Sequence, residues 1–180
     1  FPIRNRGSII LTERKMERYS DPFEDFDLHR DNPTIAVRPP CIALAFLAVG
    51  LAIDQFTSAP FLYEPLQYLG GAGLLIAGVG LAALAMRRFR AAGTAVETSR
   101  PSVTIVSDRP YAGTRNPIYV AMLLIYAGIV VVANAPAVVA LMPVLFAVLH
   151  FGVGLREEDY LECKFGDAYL AYKLAVPRWL

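Results

Sequence analysis

Tyr111-Ala112-Gly113-Thr114-Arg115-Asn116-Pro117-Ile118-Tyr119 opens a stretch that crosses two apolar segments and reaches Arg156-Glu157-Glu158. The stretch closes with Phe165-Gly166-Asp167-Ala168-Tyr169-Leu170-Ala171-Tyr172. The apolar segments, Pro117–Ala133 and Pro136–Leu155, are separated only by Asn134-Ala135-Pro136. A tight turn there makes a helical hairpin. If the hairpin spans a membrane, the polar clusters at its two ends emerge on the same side and can build one site.

Two further apolar segments precede the hairpin. Cys41–Phe56 carries Asp54 near its end and is somewhat short of the about 20 residues that cross a bilayer. Extension back to Val37 or tilt makes up the difference. Ser58-Ala59-Pro60 reads as a turn. Leu66–Met86 has no charge and includes Gly70-Gly71-Ala72-Gly73 and Gly78-Val79-Gly80. Glycines weaken a soluble helix but let membrane helices pack closely. Arg87-Arg88-Phe89-Arg90 stops this segment, and a polar loop runs to Asn116, with Val103–Val106 as a short extended piece. After Glu157 an amphipathic helix pair is interrupted at Gly166, where Asp167 is placed to cap the second helix.

Composition agrees with a membrane protein. The 180 residues are 56% hydrophobic and 18% charged, and the charges are segregated. The net charge of +1 and the lack of a basic stretch interleaved with aromatics exclude a nucleic-acid partner. Cys41 and Cys163 form no CxxC pair and read as lone packing cysteines. The acidic run Glu24–Asp27 has no His or Cys cluster beside it and reads as a solvated face; no metal site is expected. Residues 1–38 form a polar arm broken by prolines, and 39–180 form one membrane domain. Phe1–Lys15 has no apolar signal core, and Met16, the first methionine, is the expected start.

Arginine placement sets the expected orientation. Arg87, Arg88, Arg90, Arg100, Arg109 and Arg115 lie between segments two and three, whereas the other two connections carry no Lys or Arg. Four spans with both termini and the middle loop on the cytoplasmic side of the inner membrane satisfy this asymmetry.

The polar clusters suggest a ligand. At Asn116-Pro117 a helix begins with unpaired N–H groups and a positive dipole end. Arg115 adds a full charge, suited to a carboxylate. Tyr111 and Tyr119 bring aromatic faces that favour a cation. Glu157 and Glu158 point about 100° apart. One can face inward toward an amine or ribose, while the other meets solvent or pairs with a base. A zwitterion such as the amino-acid part of S-adenosylmethionine matches these groups. Taken singly, each feature is also what an ordinary membrane interface shows.

Together, Tyr-x4-Asn-Pro-x-Tyr, the hairpin with Asn-x-Pro, Arg-Glu-Glu, Phe-Gly-x-x-Tyr-x-x-Tyr and Val-Pro-Arg resemble the isoprenylcysteine carboxyl methyltransferase family. The related phospholipid N-methyltransferases share much of the pattern. The similarity covers about Phe89 to Leu180. It implies an all-α, polytopic membrane enzyme of about four transmembrane helices, with a cytoplasmic C-terminal helical cap over a cofactor cleft in residues 89–180. By position it implies cofactor contacts from Val103, Thr104, Ile105, Val106, Tyr111, Arg115, Asn116, Pro117, Ile118, Tyr119 and Glu157, with Asn116 where the family has His. Gly78-Val79-Gly80 is a further match to a cofactor-linked Gly-x-Gly. The position that reads a substrate carboxylate in the prenylcysteine enzymes is Val153 here, with Arg156 the nearest base. Glu158, His150 and Arg156 are the candidates for work on the acceptor. The expected reaction is methyl transfer from S-adenosylmethionine to a carboxylate, amine or thiol of a lipophilic acceptor drawn from the membrane lipids. A non-catalytic protein of the same fold binding lipid or a partner is the alternative.

Overall fold

The computed structural model describes residues 37–57, 60–93 and 104–179. The acidic run, Met16, Ser58, Ala59 and Val103 lie outside them, as does nearly all of the polar arm. All regular structure among the described residues is helical: α1 Pro39–Thr57, α2 Glu64–Ala91, α3 Pro117–Ala133, α4 Pro136–Ala147, a π-helical turn Val148–Gly154, α5 Leu155–Phe165 and α6 Asp167–Ala175. Thr104, Ile105 and Val106 join no strand.

Three helical rods are long and apolar enough to cross a membrane: Pro39–Phe56, Glu64–Ala91 and Pro136–Phe165, and Pro117–Ala133 is a shorter apolar helix. The chain is a multi-pass membrane protein. In lipid a helix satisfies its own backbone, which is why each apolar stretch takes this form. The last rod is not one regular α-helix. It contains Pro143 and then widens through the π-helical turn before α5.

Small residues set the tightest contact, between α2 and α3. Gly71, Gly78 and Ala85 recur every seven residues on α2 and are buried. A Cβ on Gly78 would stand 2.9 Å from the Ala121 carbonyl, and one on Gly128 would stand 3.0 Å from that of Gly71. Backbone thus meets backbone, as close packing in lipid favours. Gly80 faces open space. Of the Gly78-Val79-Gly80 element, Gly78 is the residue that packs α2 on α3. A second layer joins α1 to α4 through Gly50 and Val138, over a core that includes Tyr126, Val130, Leu145, Leu149 and Val153.

The hairpin end of the bundle is closed by polar side chains. Asn134 takes a left-handed conformation at the end of α3 (φ 52°). Its Oδ1 accepts from the Phe61 and Leu62 N–H groups at 3.0 Å each, and its Nδ2 donates to the Leu62 carbonyl at 2.7 Å. Gln67 donates to the Val132 carbonyl. Asp54 accepts from the Ala137 N–H at 3.3 Å, supplying a free N–H of α4 with an acceptor from another helix.

Two local expectations change. Asp167 begins α6 without a side-chain cap bond, and Gly166 makes the break at φ 53°, a conformation open to glycine. Cys41 and Cys163 are free but exposed, not packed inside. Around Cys41, on an apolar span, the outside is itself an apolar environment, so a small apolar thiol gains nothing by facing inward.

Candidate active site

The polar end of the bundle gathers the starts of α3 and α5, the segment before α3, and the C-terminal residues. Pro117 is buried at the first turn of α3, where a missing N–H costs no bond. Two residues on, Tyr119 donates its hydroxyl to Glu157 Oε2 at 2.8 Å. This bond joins the entrance of α3 to the start of α5 across 38 positions of sequence.

Tyr111 is buried, packs against Phe89 with ring centroids 4.9 Å apart, and has no partner for its hydroxyl among the described residues. Its carbonyl accepts from the Tyr172 hydroxyl at 2.8 Å. Burial pushes the Tyr111 phenol up, and the neighbouring Glu157 carboxylate adds to the shift. Burial likewise raises Tyr169, with Glu158 adding to it, and pushes Tyr172 up to about 12 against the Arg115 charge. These phenols are hydrogen-bond donors at neutral pH.

The adjacent carboxylate does something different. Glu158 is 3% exposed. Arg178 grips it with a fork, Nε to Oε1 at 2.6 Å and Nη2 to Oε2 at 2.7 Å. Arg115 Nη1 lies 3.1 Å from Oε2 and Lys173 Nζ 3.9 Å. The Arg115 contact is an ion pair without hydrogen-bond alignment, and its Nε is buried without a partner. The bond to Glu158 raises Arg178 further above its ordinary range. Lys173 also pairs with Glu162.

Backbone contacts hold the tail in place. The Arg115 N–H donates to the Pro177 carbonyl at 3.0 Å. Thr114 Oγ1 and Asn116 Nδ2 donate to the Arg178 carbonyl at 3.1 and 3.2 Å. Residues 176–179 thus form a strap across the start of α3. The Asn116 side chain serves the strap and makes no cap bond to α3, while its carbonyl accepts from the Tyr119 and Val120 N–H groups.

The structure therefore brings Tyr111, Arg115, Asn116, Pro117, Tyr119, Glu157 and Glu158 to one end. Ile118, Ile105 and Val106 are half-buried, and Thr104 and Arg156 are exposed. His150 stands in the π-helical turn, accepting at Nδ1 from the Trp179 indole at 3.0 Å. Sequence reasoning gave no role to Arg178, Trp179, Tyr172 or Lys173. The Val176-Pro177-Arg178 motif and the Tyr169/Tyr172 spacing were the available signals.

The bundle thus gathers a buried carboxylate, arginines and phenols where α3 begins and the apolar run of the last rod ends. The phospholipid methyltransferase family matches residues 66–168, and the chain belongs to this family of membrane methyltransferases. A relative in Haemophilus influenzae, described as an uncharacterized protein, is 39% identical over 59 residues, which is 33% of this chain and 92% of that one. No solved structure matches the chain.

Proposed function

We propose that the protein transfers a methyl group from S-adenosylmethionine to a lipophilic acceptor at the cytoplasmic face of the inner membrane. The Tyr119–Glu157 bond carries this reading, because it makes one site from the two polar ends of the hairpin. The unsatisfied groups there suit the ligand's zwitterionic end. Tyr111 Oη and Arg115 Nε are buried and unpartnered among the described residues, and Glu157 accepts at one oxygen from Tyr119. Arg115 would attract a carboxylate, Glu157 an ammonium or ribose hydroxyls, and the faces of Tyr111 and Tyr119 a cation.

When bound, the cofactor supplies an electrophilic methyl group. The chain's own contribution is placement. Tyr119 orients Glu157, and the Arg178 fork and Arg115 hold Glu158 so that α5 keeps its position against α3. Tyr172, bonded to the Tyr111 carbonyl, and Phe89, packed on its ring, hold Tyr111 in its buried place. Holding reactants in line in a water-poor cleft supplies much of the rate in such a transfer. Glu158 is taken up by ion pairs, which leaves Glu157 as the carboxylate facing a ligand.

The arginines Arg87, Arg88, Arg90, Arg109 and Arg115 lie in the segments flanking this site, while the connections at the hairpin end carry no Lys or Arg, which supports the cytoplasmic assignment. Two measurements test the reading. Calorimetry of the folded protein in detergent should detect S-adenosylhomocysteine, and label from methyl-labelled S-adenosylmethionine should enter a membrane lipid extract. Folded protein that binds no S-adenosylhomocysteine would favour a non-catalytic lipid- or partner-binding protein.

A further inference from the structure

A second polar cluster lies where the strap meets the π-helical turn. Trp179 Nε1 is 3.0 Å from His150 Nδ1, and Arg178 Nη1 is 3.5 Å from His150 Nε2. A neutral imidazole has one donor and one acceptor nitrogen, and an indole N–H only donates. Both contacts cannot be hydrogen bonds. The Trp179 contact has the better length, so Nδ1 accepts and the proton sits on Nε2. The Arg178 contact is then a donor facing a donor. Arg178 already spends Nε and Nη2 on Glu158. Among the described residues no oxygen accepts from Arg178 Nη1 or His150 Nε2. These two N–H groups stand side by side with their nitrogens 3.5 Å apart, one of them charged, and suit a shared anionic oxygen.

The surroundings are apolar and face outward. Phe146 lies parallel to His150 at 6.0 Å and packs on Trp179 at 4.8 Å, and Phe151 meets His150 edge-on at 4.6 Å. Phe146 is 40% exposed and Phe151 65%, both on the last membrane rod. A small aqueous anion has no use for such a collar, whereas an amphiphile places its chains there. π-Helical turns widen a helix and are frequent at functional sites.

We propose that His150 Nε2 and Arg178 Nη1 hold the anionic oxygen, carboxylate or phosphate, of a lipid whose chains lie along Phe146 and Phe151, and that this lipid is the methyl acceptor. The acceptor role rests on the methyltransferase reading above. His150 is then a binding residue that presents a donor, and not a base, at Nε2.

Trp179 is the protein's one tryptophan, so its emission reports on this place alone. The full chain in neutral detergent is titrated with dioctanoyl phosphatidic acid, decanoate, dioctanoylglycerol and inorganic phosphate. Saturable emission changes are expected with the two anionic amphiphiles, and the tighter of them names the head group. His150→Phe should weaken binding about tenfold or more, as loss of a hydrogen bond to a charged group does, while His150→Gln, which keeps a donor, stays near the parent. An equal response to dioctanoylglycerol, or to inorganic phosphate alone, would overturn the proposal without any variant. So would His150→Phe binding as the parent does. S-adenosylhomocysteine calorimetry runs in parallel. If that ligand binds and the anionic lipids do not, this inference falls by itself; if neither binds, the methyltransferase reading falls with it.

Discussion

Replacing Glu158 by Gln should unfold the polar end of the bundle before it affects any ligand contact. The carboxylate is 3% exposed and receives two short bonds from Arg178, with Arg115 at 3.1 Å. Removing one partner of a buried ion pair typically costs about 3–5 kcal/mol, because the remaining charge keeps its desolvation penalty. Arg178 is 23% exposed at its side chain and recovers some hydration, but Arg115 at 8% recovers little, which puts Glu158→Gln near 3 kcal/mol. Arg178→Gln leaves Glu158 still beside Arg115 and should cost about 1.5–3 kcal/mol, the range of a hydrogen bond to a charged group. In the Glu158→Gln background the Arg178 change finds no carboxylate left to release. The two effects should therefore fall short of additivity by about 1.5–3 kcal/mol. The assay is reversible unfolding in mixed micelles followed by helical circular dichroism, with limited proteolysis of the strap as a second readout. Additivity within about 0.5 kcal/mol would show that the fork does not couple α5 to the strap.

At the neighbouring residue a ligand contact should be lost as well: Glu157→Ala is expected to weaken S-adenosylhomocysteine binding by about 1.5–3 kcal/mol, besides the about 1–3 kcal/mol in unfolding that stranding the buried Tyr119 hydroxyl costs, and unchanged affinity in calorimetry would remove it from the site. Gly128→Ala places a Cβ 2.9 Å from the Leu75 nitrogen and 3.0 Å from the Gly71 carbonyl, so α2 and α3 must part. A loss of about 1–3 kcal/mol is expected in thermal unfolding, against a gain or no change for Gly80→Ala, which meets open space. Tyr172 is held protonated up to about 12, above the unfolded value of about 10. Its contribution is therefore complete below pH about 10 and lost as pH rises toward the folded value. The parent-minus-Tyr172→Phe difference in near-ultraviolet phenolate absorbance should show this late step, and ionisation of Tyr172 near 10 would contradict the burial argument.

The apolar segments were legible because lipid permits few backbone solutions. Pro117–Ala133 was bounded by a proline and the turn Asn134-Ala135-Pro136, and both boundaries hold in the structure, where Asn134 is left-handed. Leu66–Met86 proved longer, since Arg87-Arg88-Phe89-Arg90, expected to stop it, leaves the apolar region without ending the helix; α2 runs from Glu64 to Ala91. The approach of Glu157 to the Asn-Pro end of α3 followed from the hairpin alone. Which carboxylate meets which partner did not. A π-helical turn lies between the apolar run and Glu157, and it rotates everything beyond it relative to a regular helix. Asp167 and Cys41 were misread for local reasons, because a cap requires geometry that composition does not state and lipid removes the usual meaning of an exposed thiol on an apolar span.

By itself the sequence determined what each segment is: apolar stretches that must be helical, arginines that mark one end, and a turn too short to do anything but reverse the chain. The tertiary structure decided which groups meet. The Arg178 fork on Glu158, the Trp179 bond to His150 and the Tyr119 bond to Glu157 link residues 20, 29 and 38 positions apart. Contacts of that kind depend on helix rotation and on the path of the tail, which only packing fixes.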